Sequence, residues 1–133
     1  MGTEGISPVD IAVSGLRAQS LRLQVIANNI ANAHSRSERG EPFRRREVVL
    51  ASTAEELSGV RIVDVAADYA TALKTVYDPT SPDADDRGYV TLPNVDVPLE
   101  LMHMLLASRA YQANAAVLKQ YQEQMDLTIE LLR

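Results

Sequence analysis

From Val97 to Arg133, apolar or small residues recur at alternating steps of three and four: Leu101, Met104, Ser108, Tyr111, Ala115, Leu118, Gln122, Met125, Ile129 and Leu132. This is a heptad seam with two polar interruptions, Ser108 and Gln122, and neither Gly nor Pro follows Pro98. It predicts a helix of about 36 residues, roughly 54 Å long at 1.5 Å per residue. A compact chain of this length has a radius of gyration near 14 Å, so the molecule is expected to be elongated. A second seam precedes it: Val9, Ala12, Leu16, Gln19, Leu23, Ile26, Ile30 and Ala33, with only Gln19 polar. Ser7 is placed to cap this helix, Pro8 suits its first position, and Asp10 lies near the positive end of its dipole. Asn28, Asn29 and Asn32 are unusual inside a helix, because Asn competes for backbone hydrogen bonds. They read either as a fraying end or as specific polar contacts between helices.

Between the seams the pattern changes to period two. His34 to Pro42 is a polar, charged loop. Phe43 to Ser52 and Val60 to Ala66 are strand-like and rich in β-branched residues. Val76 and Tyr77 lead into a Pro-rich turn, and Gly88 to Leu92 gives a last strand before Pro93. Asp96 then caps the long helix, with Pro98 tolerated in its first turn. The fold class is α+β: two long terminal helices forming an antiparallel coiled-coil-like hairpin around a small β-rich insert. The expected divisions are a flexible segment over residues 1–7, an N-terminal helix over 8–33, the insert over 34–96 and the C-terminal helix over 97–133.

Each helix carries a second apolar row: Ala18, Leu21 and Val25 on the first, and Leu99, Met102, Leu106, Ala113, Val117, Leu127 and Leu131 on the second. Pairing two helices covers one row of each. At roughly 1.5 to 3 kcal/mol per buried side chain, burying the second row matches an association cost of about 4 to 15 kcal/mol. Polymerisation is one way to cover it; an insert folded back over a monomer is the other.

Composition narrows the chemistry. A 46% apolar fraction with one Phe and no Trp suits helix packing better than an aromatic-lined substrate pocket. A net charge of −5 argues against general nucleic-acid binding, and Arg44, Arg45 and Arg46 are too few to reverse it. Those arginines suit either polymer salt bridges or a solvated strand edge. The absence of cysteine excludes disulfides and thiolate metal sites. No apolar run is long enough for membrane insertion, and the first residues lack the basic and apolar regions of a secretory signal peptide. Asp83, Asp85 and Gly88 echo a calcium loop, but Arg87 and Asn94 stand where ligands belong. His34 and His103 have no second ligand at metal spacing. No cofactor, small-molecule substrate or catalytic residue is expected.

Two stretches are similar to a known family. Ser14-Gly15-Leu16-Arg17-Ala18-Gln19, followed by Arg22-Leu23-Gln24-Val25-Ile26-Ala27-Asn28-Asn29-Ile30-Ala31-Asn32-Ala33, resembles the N-terminal signature of bacterial flagellar rod and hook proteins. Ala107-Ser108-Arg109-Ala110-Tyr111-Gln112-Ala113-Asn114 resembles their C-terminal signature. Val76-Tyr77-Asp78-Pro79, Pro82-Asp83-Ala84-Asp85 and Gly88-Tyr89-Val90 with Pro93-Asn94-Val95-Asp96 look like the proximal-rod branch. The likeness spans most of the chain; His34-Ser35-Arg36 and the charged run from Glu38 to Glu41 depart from it. It implies a non-enzymatic subunit of the basal-body rod, the periplasmic drive shaft that transmits torque to the hook. It also implies assembly with itself and other rod subunits, and passage through the flagellar type III export apparatus without a cleaved signal peptide. Terminal helices of this family typically become an inner coiled-coil layer on assembly.

The candidate assembly and helix-packing residues are Leu16, Leu23, Ile26, Asn28, Asn29, Ile30 and Asn32 on the first helix. On the second they are Leu101, Met104, Ser108, Arg109, Tyr111, Asn114, Leu118, Met125 and Ile129. The alternative is a soluble helical binding module that engages a partner helix through Leu99 to Leu131.

Overall fold

The computed structural model describes residues 6–36, 40–53 and 59–133, so most of the segment expected to be flexible lies outside the described residues. Helix α1 spans Pro8–Ala31. The Ser7 hydroxyl accepts the Val9 N–H at 3.1 Å, while Asp10 accepts the Ser7 N–H at 3.2 Å, a reciprocal capping box. At the other end the Asn32 side chain donates back to the Asn28 carbonyl at 2.8 Å, closing the last turn. Asn32 thus terminates the helix; Asn29 has a different task, described below. Helix α2 spans Val97–Leu131, 35 residues or about 52 Å. Its cap is Asp96, whose carboxylate accepts the Leu99 N–H at 3.2 Å.

The insert holds two separate antiparallel ribbons. Strand β1 (Arg46–Ser52) pairs with β2 (Val60–Ala67), with a register shift between Val49 and Leu50. Strand β3 (Lys74–Tyr77) pairs with β4 (Tyr89–Leu92), where Tyr77 and Tyr89 stand opposite each other, edge to face at 5.3 Å. The sequence pattern showed β3 only as the approach to a turn. β1 begins later than the expected Phe43 because the preceding backbone is held by side chains: the Arg45 N–H donates to Asn94 at 2.7 Å. β1 and β2 pack on α1, and neither packs on α2. Among the described residues, no strand of the insert therefore folds over the outer row of α2.

The two helices are antiparallel neighbours. Asn29 meets Glu100 at 3.2 Å, and Gly15 lies so close to Asn114 that a Cβ there would fall 2.7 Å from its side-chain nitrogen. Fourteen residues back along α1 thus match fourteen forward along α2, a constant register that sets Pro8 level with Tyr121. Tyr121 is the last residue of α2 that is even half-buried; everything from Gln122 to Arg133 is exposed. About ten residues of α2, roughly 15 Å, therefore overhang the end of α1.

The interface between the helices corrects the expected seam. Its buried apolar residues are small: Ala12 and Ala18 on α1 and Ala107 on α2, joined by Ile26. Leu16, Leu23, Ile30, Met104 and Ser108 are half-buried at its flanks and Asn114 and Leu118 half-buried within it, whereas Leu101 and Tyr111 are exposed. The facing side of α2 runs through Glu100, His103, Ala107, Ala110, Asn114, Leu118 and Tyr121, about one residue round from the seam predicted. Ala18, assigned to the second row, lies at the centre of the contact with 1% exposure. The reason is steric: Gly15, Ala18, Ala107 and Ala110 let the backbones approach, and leucines on that face would hold them apart. A similar close approach fixes the β1–β2 ribbon, where a Cβ on Gly59 would meet the Ser14 hydroxyl at 2.0 Å and the Val60 N–H donates to that hydroxyl at 3.1 Å.

At the root of the helix pair lies a polar knot. Glu100 and Asn29 are fully buried. One Glu100 oxygen accepts from Asn29 and the other from Arg45 Nε, whose guanidinium also reaches Glu47 and lies 3.6 Å from Asp68. Asn29 further exchanges two hydrogen bonds with the Arg46 backbone, both at 2.9 Å. Asn94, also buried, accepts from the Arg45 amide and donates to the carbonyls of Asp68 and Thr71 at 3.0 and 3.1 Å. No buried side-chain polar atom among the described residues lacks a partner. Burial alone would lower the Arg45 pKa, but hydrogen bonds and charge from Glu100 and Glu47 outweigh it and raise the value. The Asp68 carboxyl is held below its ordinary value, first by the Thr71 hydroxyl and amide and further by the Ala70 amide and Arg45.

Three expectations follow. Glu100→Ala removes the acceptor that joins Asn29 to Arg45, leaving Arg45 to Glu47 and Asp68 and Asn29 to the Arg46 backbone, and should cost about 1 to 3 kcal/mol, read as a loss in thermal midpoint. Because Asp68 titrates below its unfolded value, its contribution is present above about pH 4 and lost as pH falls through the lowered folded value. Asp68→Asn should accordingly melt below the parent at pH 6, the difference closing in acid as the parent's carboxyl takes up its proton. In the free chain, hydrogen exchange should be slow around residues 100 to 118 and fast beyond 122, a gradient readable by mass spectrometry.

Candidate assembly surface

What the helix interface leaves out is large and apolar. Leu99, Leu101, Met102, Leu105 and Leu106 are between 46% and 58% exposed, and Val117 and Leu127 are similarly open. Leu99 to Leu106 ring the first turns of α2 outside its buried contact with α1, and Val117 and Leu127 carry the apolar surface into its second half. The helix makes them exposed because its facing positions are already occupied by small residues and by Glu100.

The sequence candidates divide into two sets. Ile26 and Asn29 are buried, and Leu16, Leu23, Ile30, Asn32, Met104, Ser108, Asn114 and Leu118 are half-buried within the chain. Asn28, Leu101, Arg109, Tyr111, Met125 and Ile129 face outward. Sequence reasoning missed Glu100, Arg45, Asp68 and Asn94, which join the insert to the helices. It also assigned Ala18 to the wrong row and overlooked Ala107. The available signal was the spacing of small residues at Ala12, Gly15 and Ala18, matched by Ala107 and Ala110.

A groove of about 490 Å³ opens where α1, α2 and β1 diverge. Its floor is apolar, from Val25, Ile26 and Ala107, and its rim carries Arg22, Arg46 and His103. Arg22 and Arg46 have no acidic partner among the described residues, whereas the Arg45 charge is consumed by the knot. On the opposite side of the insert, Arg44 lies over the Tyr69 ring at 4.8 Å. The turn that echoed a calcium loop is closed by its own groups: Asp85 accepts from the Arg87 and Tyr89 amides, and Asp83 pairs with Arg36 at 3.1 Å. Asp78, at the start of that turn, is held below its ordinary pKa by the Thr80 hydroxyl and amide. His103 lies 3.7 Å from Glu100, within the knot's reach. No helix among the described residues is long and apolar enough to cross a membrane.

Comparison with known proteins agrees with this architecture. The family described as "Flagella basal body rod protein" matches residues 10–34, and that described as "Flagellar basal body rod FlgEFG protein C-terminal" matches residues 86–131. The two matches fall on α1 and α2 and leave most of the insert between them. The flagellar basal-body rod protein FlgC of Escherichia coli O6:H1 is 44% identical over 126 residues, covering 92% of this chain and 93% of that protein. FlgC of Agrobacterium fabrum is 40% identical over 128 residues, covering 92% and 91%. FlgC of Aquifex aeolicus is 36% identical over 124 residues, covering 92% of each. With likeness of this degree running nearly end to end, the chain belongs to the FlgC family and is a structural rod subunit of the bacterial flagellar basal body.

Proposed function

We propose that the subunit builds the proximal rod by packing its terminal helices, over 8–33 and 97–133, against those of itself and other rod proteins, with no catalytic step. The carrying observation is the ring of exposed leucines and methionine on α2, which no part of the described chain covers. In this reading the antiparallel pair behaves as a coiled-coil-like hairpin whose outer rows become inner surface on assembly. The apolar area would be costly to leave in water and stabilises the polymer when removed from it. The rod crosses the periplasm and passes torque to the hook, and the subunit reaches it through the flagellar type III apparatus without a cleaved signal peptide. The candidates Leu101, Arg109, Tyr111, Met125 and Ile129 then contact neighbours, while Ile26, Asn29 and Leu118 hold the subunit's own helices together.

A discrete soluble binding module would use the same surface, but the family assignment favours the rod. Leu105→Asp places a charge on an outward position that is 53% exposed. The variant should fold with an unchanged thermal midpoint, yet be missing from purified basal bodies and leave cells non-motile. Normal incorporation and swimming would sink this assignment of the surface.

A further inference from the structure

The overhanging end of α2 is built for a partner of particular chemistry. Met125, Ile129 and Leu132 continue the side of α2 that faces α1 at Asn114, Leu118 and Tyr121, but α1 has ended and they are exposed. Asp126 lies beside this stripe, with Glu130 and Glu123 further round the helix, and the last turn carries no basic residue. Acidic groups at a helix C-terminus add to the negative end of the dipole, so the free end is electrostatically unfavourable. Glu123 pairs with the exposed Lys119 at 3.9 Å, whereas Asp126 and Glu130 form no ion pair among the described residues, although Arg133 follows in the turn after Glu130. A segment that is apolar on one side and anionic beside it calls for a seat with an apolar floor and a cationic rim.

Such a seat exists at the other end of the molecule. The groove between α1, α2 and β1 has Val25, Ile26 and Ala107 as its floor; Arg45 and Glu47, which line it too, are paired with each other, and Arg22 and Arg46, both without acidic partners among the described residues, give its edge a net positive charge. We propose that the overhanging end of α2 from one copy docks in this groove of a second copy, Met125 and Ile129 against the floor and Asp126 and Glu130 against the arginines. The proposal rests on the rod reading and adds to it the identity and direction of one contact. Tail and seat lie at opposite ends of the helix pair, so the contact is head-to-tail. A contact of this kind propagates along an open filament, where a two-fold patch would close as a dimer.

The chain has no cysteine, which allows a direct test. A Val48→Cys, Met125→Cys double variant puts one thiol beside the groove and one on the tail. Met125 lies fifteen residues beyond Ala110 at the groove, about 22 Å along α2, so the two thiols of one chain cannot meet. Mild oxidation of basal bodies from cells making this variant should give a ladder of covalent multimers of the chain. Adding Asp126→Arg and Glu130→Arg should reduce the ladder at least tenfold, and combining these with Arg22→Glu and Arg46→Glu should restore it. The proposal is overturned, with the rod role intact, if the chain is present without a ladder, if the ladder ignores charge reversal, or if the bond forms to a different protein. Absence of the cysteine-free chain itself from basal bodies would instead overturn the rod reading, and this proposal with it.

Discussion

A single buried carboxylate organises this molecule. Glu100 sits in the narrow seam between two helices that approach through alanine and glycine, where no water can solvate its charge. It is tolerable only if other segments supply donors, and they do: Asn29 from α1, 71 residues away in sequence, and Arg45 from the residue just before β1. Such a buried pair contributes little net stability, because desolvating two charges offsets most of their attraction. Its effect is on specificity. A seam of small side chains offers similar packing at neighbouring registers, and one turn of slippage would strand Glu100 against hydrocarbon. The carboxylate therefore fixes which turn of α2 faces which turn of α1, as a polar residue fixes register in a coiled coil.

The same close approach determines what remains outside. With Gly15, Ala18, Ala107 and Ala110 in the interface, the helices bury little apolar area between them, and the large side chains are displaced to the flanks and outer faces. A self-sufficient domain does the reverse, placing leucine inside and alanine wherever it fits. A chain arranged in this way has a thin core of its own and a large unsatisfied surface. Its stability is then tied to the concentration and presence of neighbours, as in obligate oligomers. For a subunit of a rod that is a usable property, since the free chain is left short of the contacts that make the polymer rigid.

How much of this could be read from the sequence depends on the range of the interaction. The helices, their caps at Ser7 and Asp96 and their termination near Asn32 are local matters of periodicity and hydrogen bonding, and these were legible. The strands Arg46–Ser52 and Val60–Ala67 were legible too, being β-branched and bounded by breakers. The orientation of α2 about its axis was not, because two apolar rows compete on it and periodicity cannot say which one faces inward. The choice was made by the small residues opposite and by Glu100, an acidic residue that a hydropathy pattern assigns to solvent. Arg45, Asp68 and Asn94 were hidden for a similar reason: each is ordinary in its own segment and acquires its role only across long sequence separations.

The insert shows why that long-range chemistry matters mechanically. Two-stranded ribbons are marginal by themselves, and β1–β2 and β3–β4 do not join into one sheet. Each is made firm by a few specific attachments. Ser14 holds the start of β2, Asn29 substitutes for a strand partner at Arg46, and Lys74 donates to the Val95 carbonyl at 2.9 Å. Asn94, two residues before the α2 cap, bridges the segment entering β1 to the one leaving β2. All but the β3 anchor lead directly to α1 or to the first turn of α2. Hydrogen bonds are directional and short-ranged, so an insert fixed by them is stiffly coupled to the helices, where apolar packing alone would let it slide. A force applied to the insert of an assembled subunit therefore reaches the helix pair through Ser14, Asn29, Arg45 and Glu100, and Asn29 and Glu100 are also the groups that set the register.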